Sequence, residues 1–251
     1  MPFVSILFFL VIWQAAVTIL EVPTYLLPKP TDILETLISD FDKILKHAWV
    51  TSYEMLLGYL LAIIVAVPLA VFITISPTFD RFITPILLVS QTVPKIAIAP
   101  LFLIWFGVGP LPKVLVAFLI SFFPIVIDTA IGLRSVSPEM IDLVRSMGAS
   151  RIQVFTQIRL PTSLPYMFSG LKVAATLAVV GAVVGEFVGA DKGLGYLLLV
   201  ANSYLDTPLL FASIFALTVI GMLLYYVIDI LEHWLIPWHV SRRSGAEHGT
   251  M

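Results

Sequence analysis

Charges are sparse along this chain, and the gaps between them are long. Residues 1–20 carry none, so 3–20 reads as a first apolar helix. A helix that crosses a bilayer needs about 20 apolar residues. Five further windows reach that length: 55–75, 82–106, 114–133, 167–188 and 209–228. Lys95 interrupts the third window, Asp128 the fourth, and Lys172 and Glu186 the fifth. The pattern predicts an all-α protein of about six spans, a single transmembrane domain over 1–251. The first window lacks a basic flank and a small-residue cleavage site, so it reads as a retained anchor helix.

Two connecting segments carry helical signals of their own. In 21–50, Asp32 with Glu35 forms a capping-box pattern. Ile33, Leu34, Leu37, Ile38, Phe41, Ile44 and Leu45 then recur at helical spacing, predicting an amphipathic helix over 32–46 at the outer interface or against the bundle. In 134–166, Ser137 suits an N-cap and Pro138 the first helical position. Gly148 suits the residue after a helix end. Ser150 and Gln153 form a second capping box. That helix is expected to end before Pro161, with Pro161 and Pro165 bending the chain back into the membrane. Met140, Ile141, Val144 and Met147 line one side of the first short helix. So ordered a loop is either a docking surface for another protein or a cover packed on the helix ends.

Composition narrows the class. Of 251 residues, 59% are hydrophobic and 12% charged, with a net charge of −2 and no cysteine. A soluble domain carries about 25% charged residues. The balance excludes an ordinary soluble enzyme, a disordered chain and a nucleic-acid binder. Without cysteine there is no disulfide framework and no thiol chemistry. The histidines do not cluster, so no metal site is expected, and no catalytic residue stands out. Arg81, Arg134, Arg145, Arg151, Arg159, Arg242 and Arg243 fall in one set of loops. Lys29, Lys43, Lys46, Lys113 and Lys192 fall in the other. The positive-inside rule then puts both termini and the arginine loops in the cytoplasm. Trp234 and Trp238 suit an aromatic belt.

Ionisable groups inside spans are costly, which makes them candidates for a translocation path. Lys95, between Pro94 and Pro100, either faces a pore and attracts an anion or steadies a bent helix. Glu186 either lines a path or is locked into a helix interface. Asp128 is a gate or a helix-end acid. Lys172 most simply snorkels to the surface, and Asp229 is interfacial. Gly181, Gly185 and Gly189 form a repeated G-x-x-x-G that permits close helix approach, including across a dimer.

The 134–166 loop resembles the EAA loop of ATP-binding-cassette importer permeases. That pattern is E-A-A, three residues, G, nine residues, then I-x-L-P. Gly148 is followed at that spacing by Ile158-Arg159-Leu160-Pro161, and Asp142-Leu143-Val144 takes the place of E-A-A. The chain further resembles the nitrate/sulfonate/taurine branch in Val93-Pro94-Lys95-Ile96-Ala97, Trp105-Phe106-Gly107, Phe122-Phe123-Pro124, Gly132-Leu133-Arg134, Met147-Gly148-Ala149-Ser150, Gly185-Glu186 and Gly193-Leu194-Gly195.

The resemblance implies a MetI-like type I importer permease in a bacterial inner membrane. It would be one of two copies, identical in the simplest case, served by an extracytoplasmic solute-binding protein and a cytoplasmic ATPase dimer. Glu139, Asp142, Leu143, Val144, Gly148, Ala149, Ser150, Ile158, Leu160 and Pro161 would couple to that ATPase. Lys95, Asp128 and Glu186 are the path candidates. The chain lacks G-x-x-x-x-G-K-[ST], so ATP and magnesium would bind the partner and this chain binds no cofactor. The branch implies a small anionic solute, with a vitamin precursor or aromatic compound as the alternative. A secondary transporter built on Lys95, Asp128 and Glu186 would need inverted repeats. A membrane-embedded enzyme would need a residue cluster at one depth.

Overall fold

A computed structural model describes residues 2–237. Trp238, Arg242 and Arg243, used in the sequence reading, lie outside them. Among the described residues the regular structure is entirely helical, as backbone in hydrocarbon requires. The elements are α1 (Pro2–Ile19), α2 (Pro30–Ser39), α3 (Phe41–Ile75), α4 (Pro77–Thr92), α5 (Lys95–Phe106), α6 (Pro110–Arg134), α7 (Pro138–Ser146), α8 (Arg151–Val154), a π-helical turn (Phe155–Arg159), α9 (Leu160–Gly189), α10 (Leu194–Ser203) and α11 (Thr207–Leu235). Among the described residues, four continuous helices are long and apolar enough to cross a membrane: Phe41–Ile75, Pro110–Arg134, Arg151–Gly189 and Thr207–Leu235. Helices α4 and α5 pass the same test together but meet at 96°.

Three sequence expectations need correction. The amphipathic helix over 32–46 is two pieces. Pro30 opens α2, the Asp32 carboxylate accepts from the Lys29 backbone N–H, and α2 ends at Asp40. Asp32 therefore caps from within the first turn, and Phe41 already belongs to α3. The 82–106 window is not one straight span. Proline disfavours the helical region for the residue before it, and Val93 before Pro94 is extended at φ −69°, ψ 127°. Finally, Pro161 does not end a helix. Leu160 N–H reaches five residues back to the Phe155 carbonyl, and this π turn lets Arg151–Gly189 run on through Pro161 and Pro165.

The chain forms two compact units. The first comprises 1–58, 96–117 and 179–222. Its core joins Ile44 of α3 to Leu194, Leu197 and Ala201 of α10 and Leu209, Ala212 and Leu217 of α11. Ile33 and Leu37 of α2 pack on that core, while Leu34 and Ile38 of the same stripe stay 58% and 71% exposed. The second unit comprises, among the described residues, 59–95, 118–178 and 223–237. There the Tyr59 hydroxyl donates to the Leu171 carbonyl at 3.0 Å, and Gly132 lies against Ser163 and Tyr166. Packing relies on small residues, as expected where lipid removes most of the hydrophobic drive. Ala62, Ala66 and Ala70 of α3, and Ala174, Ala178 and Ala182 of α9, have no exposed surface.

Candidate functional site

The 134–166 loop is built as its capping residues dictate. Ser137 accepts from Met140 N–H, Pro138 occupies the first turn, and Glu139 adds an acid where the helix dipole favours one. At the far end, Gly148 N–H donates to the Arg145 carbonyl and Ala149 N–H to the Val144 carbonyl. This six-to-one and five-to-two pair is a Schellman closure. It needs a positive φ after the helix, and Gly148 supplies φ +88°. Ser150 and Gln153 then cap each other reciprocally at the start of α8. The result is a short helix stopped at both ends by hydrogen bonds, which suits transmission of displacement.

The faces of α7 divide differently from the sequence reading. Ile141 is buried and Val144 half-buried. Met140, Leu143 and Met147 lie at i, i+3 and i+7 and are 49%, 57% and 79% exposed. Asp142 is exposed beside them. This row is an apolar strip on a polar loop with nothing among the described residues covering it. Ala149, Ile158, Leu160 and Pro161 are half-buried, and Ser150 is exposed. The I-x-L-P segment thus sits in the π turn and the start of α9, where it joins the loop to a spanning helix.

The path candidates fall in three different settings. Lys95 opens α5 rather than lying within a straight span. A cation at a helix N-terminus is unfavourable. Its ammonium sits 4.6 Å from the Phe123 ring centroid, a cation–π contact. Lys95 is half-buried, and among the described residues no carboxylate pairs with it. Asp128 is half-buried beside Gly170 of α9.

Glu186 has no exposed surface. It accepts from the Thr51 hydroxyl at 2.6 Å and from the Gly195 N–H. Thr51 accepts from Leu194 N–H at 2.8 Å, and His47 Nδ1 accepts from Gly193 N–H at 3.0 Å. Three orphan donors at the start of α10 are therefore satisfied by side chains of α3 and α9. A Cβ on Gly193 would overlap the Glu186 carboxylate, and one on Gly195 would lie 2.7 Å from its Oε2. The Gly193-Leu194-Gly195 motif exists to let that carboxylate in.

Lys113 also differs from expectation. It is no loop lysine: it lies in α6, 6% exposed, paired with Glu54 at 3.0 Å. The G-x-x-x-G repeat of α9 is used within the chain. Gly181 abuts Ala117, Gly185 abuts Lys113, and Gly189 abuts Leu103. Lys172 does not simply snorkel, for it is held by Asp229 and Glu232. Thr51, Glu54 and His47 escaped the sequence reading because each sits near the polar end of an apolar window, where nothing in the pattern distinguishes a clasp from a solvated residue.

Comparison with known proteins agrees with this architecture. Residues 58–239 match the family described as "Binding-protein-dependent transport system inner membrane component". The formylaminopyrimidine transport permease ThiX of Halalkalibacterium halodurans is 37% identical, covering 94% of this chain and 95% of that protein. The riboflavin transport system permease RibX of Chloroflexus aurantiacus is 37% identical over 95% of this chain and 90% of its own length. The taurine transport system permease TauC of Escherichia coli is 30% identical, with coverages of 92% and 86%. In fold, the chain matches an inward-facing structure of the MetNI methionine ABC transporter at TM-score 0.64 and 16% identity, covering 76% of this chain and 94% of that one. In this family ATP is hydrolysed by a separate subunit, so the chain is not itself an enzyme, and it works with that ATPase and with a binding protein. The capped loop, the helical spans and the family match together make this chain a multi-pass inner-membrane permease of the ATP-binding-cassette importers, of the MetI-like type I fold.

Proposed function

We propose that two copies of this chain form the translocation path for a small solute, and that the 134–166 loop of each copy seats on one cytoplasmic ATPase subunit. The observation that carries this reading is the exposed row Met140, Leu143 and Met147 on a helix capped at both ends. An apolar strip on an otherwise polar loop is a docking feature. Both termini and the arginine-bearing loops lie in the cytoplasm, on the ATPase side. Asp142, Leu143 and Val144 stand at the contact, and Gly148 sets the angle at which α7 presents them. Ala149, Ser150, Ile158, Leu160 and Pro161 tie that contact to the spanning helix α9.

The solute is small and anionic, of the sulfonate or taurine kind, drawn by Lys95 at the start of α5, with Asp128 further along the path. The relatives that transport formylaminopyrimidine and riboflavin favour a second reading, a heteroaromatic vitamin precursor. The test is co-purification of the ATPase with the tagged chain. Serine at Met140, Leu143 and Met147 together abolishes the association while thermal stability of the permease holds. A chain that purifies alone and moves solute without ATP would overturn the proposal.

A further inference from the structure

Two adjoining cavities lie beside the coupling loop, within the second unit. The larger, about 560 Å³, is walled by Ile75 at the end of α3, Ile152, Phe155 and the side chains of Arg145, Arg151 and Arg159. The smaller, about 370 Å³, shares Thr74, Arg145 and Arg159 with it. Arg134, on the smaller cavity, is neutralised by Asp80 at 2.8 Å. Arg145, Arg151 and Arg159 have no ion-pair partner among the described residues. Ile152 is 75% exposed and adds an uncovered apolar wall. Three unpaired guanidiniums therefore converge on a space that is apolar on one side.

We infer that this cavity holds the headgroup of an anionic phospholipid, its phosphate on Arg145, Arg151 and Arg159 and its glycerol and upper acyl carbons against Ile75, Ile152 and Phe155. Guanidinium matches phosphate geometry with paired donors. The placement fits a lipid rather than a free anion, because the cavity lies where the spanning helix α3 ends and the spanning segment Arg151–Gly189 begins. Basic pockets at the cytoplasmic edge of a helix bundle favour anionic headgroups. A soluble phosphate would gain nothing from the apolar wall. The inference rests on the proposed cytoplasmic side of the loop. It gives that loop a second contact, since a lipid that bridges Arg145 of α7 to Arg151 and Arg159 clamps the two halves of the coupling element together.

The experiment is native mass spectrometry of the full chain exchanged from mixed phosphatidylglycerol and phosphatidylcholine. The unmodified protein retains phosphatidylglycerol preferentially. Each arginine contributes roughly fivefold to that preference, so R145A/R151A/R159A loses it by about a hundredfold, and Arg159→Gln alone loses about fivefold. Thermal midpoints in pure phosphatidylcholine check that both variants fold. Three results would each overturn the inference: equal retention of both lipids by the unmodified protein, undiminished preference in Arg159→Gln, or full displacement of the lipid by millimolar inorganic phosphate. Co-purified ATPase is scored in the same preparations. Loss of ATPase with lipid preference intact assigns the arginines to the ATPase and overturns the lipid site. Loss of lipid preference with ATPase retained supports it independently of the docking reading.

Discussion

Lys113→Met isolates the energetics of the buried polar cluster. The Lys113 and Glu54 side chains are 7% and 2% exposed and lie 3.0 Å apart. The fully buried carboxylate of Glu186 is close by and is acted on by both partners of that pair. Removing the ammonium leaves two carboxylates in an apolar bundle without a cation. Breaking a buried pair from one side costs about 3–5 kcal/mol. Replacing both members with apolar residues of similar volume is close to neutral. The expectation is that K113M lowers the thermal midpoint by on the order of 10 °C, and that E54L/K113M recovers most of the loss. The assay is the fraction of monodisperse full chain surviving a heating series in one detergent and lipid mixture. A K113M loss below about 1 kcal/mol, on the scale of an exposed ion pair, would refute the reasoning. So would a double variant no more stable than K113M, because the cost would then lie in packing rather than in an orphaned charge.

Other expectations follow from individual residues. Gly148 has open space where a Cβ would go but φ +88°. Gly148→Ala therefore strains only the backbone, by about 1–2 kcal/mol, and weakens ATPase association about five- to thirtyfold in a pull-down titration. An unchanged titration would show that the loop angle does not matter. Gly185→Ala places a Cβ 2.7 Å from the Lys113 Cα. Its overpacking cost is about 1–3 kcal/mol, read in the same heating series. Glu186→Ala removes the acceptor for Gly195 N–H. It destabilises the full chain by about 1–3 kcal/mol while leaving solute preference alone, and a changed preference would place Glu186 on the path. Lys95→Gln lowers uptake of an anionic solute in proteoliposomes without altering basal ATP hydrolysis. Equal uptake of anionic and neutral solutes before and after the change would remove Lys95 from the path.

The caps of the 134–166 loop were legible in the sequence because capping is local. Ser137, Pro138, Gly148, Ser150 and Gln153 each act on backbone groups within a few residues, so their roles follow from spacing. The apolar windows were legible for the same reason, since crossing a bilayer constrains composition along the chain. Pro94 carried a local signal too, because proline restricts its neighbour, but the 96° angle between α4 and α5 did not follow from that restriction. Pro161 was misleading. A proline ends a helix only if its missing donor and its ring find no accommodation, and here a π turn at Phe155–Arg159 directly precedes Pro161 while the helix runs on to Gly189.

Sequence by itself thus determined the class of the molecule: a helical membrane permease with a capped loop over 134–166 and a scarcity of charge. Only tertiary structure decided which charges are partnered. Glu54 and Lys113 are 59 residues apart, and Thr51 and Glu186 are 135 apart. No periodicity links such positions. An ionisable residue in an apolar window reads the same whether it faces a path or caps a helix end. The difference lies in which neighbours surround it, and that is set by how α3, α6, α9 and α10 pack, through the glycines that let their backbones meet.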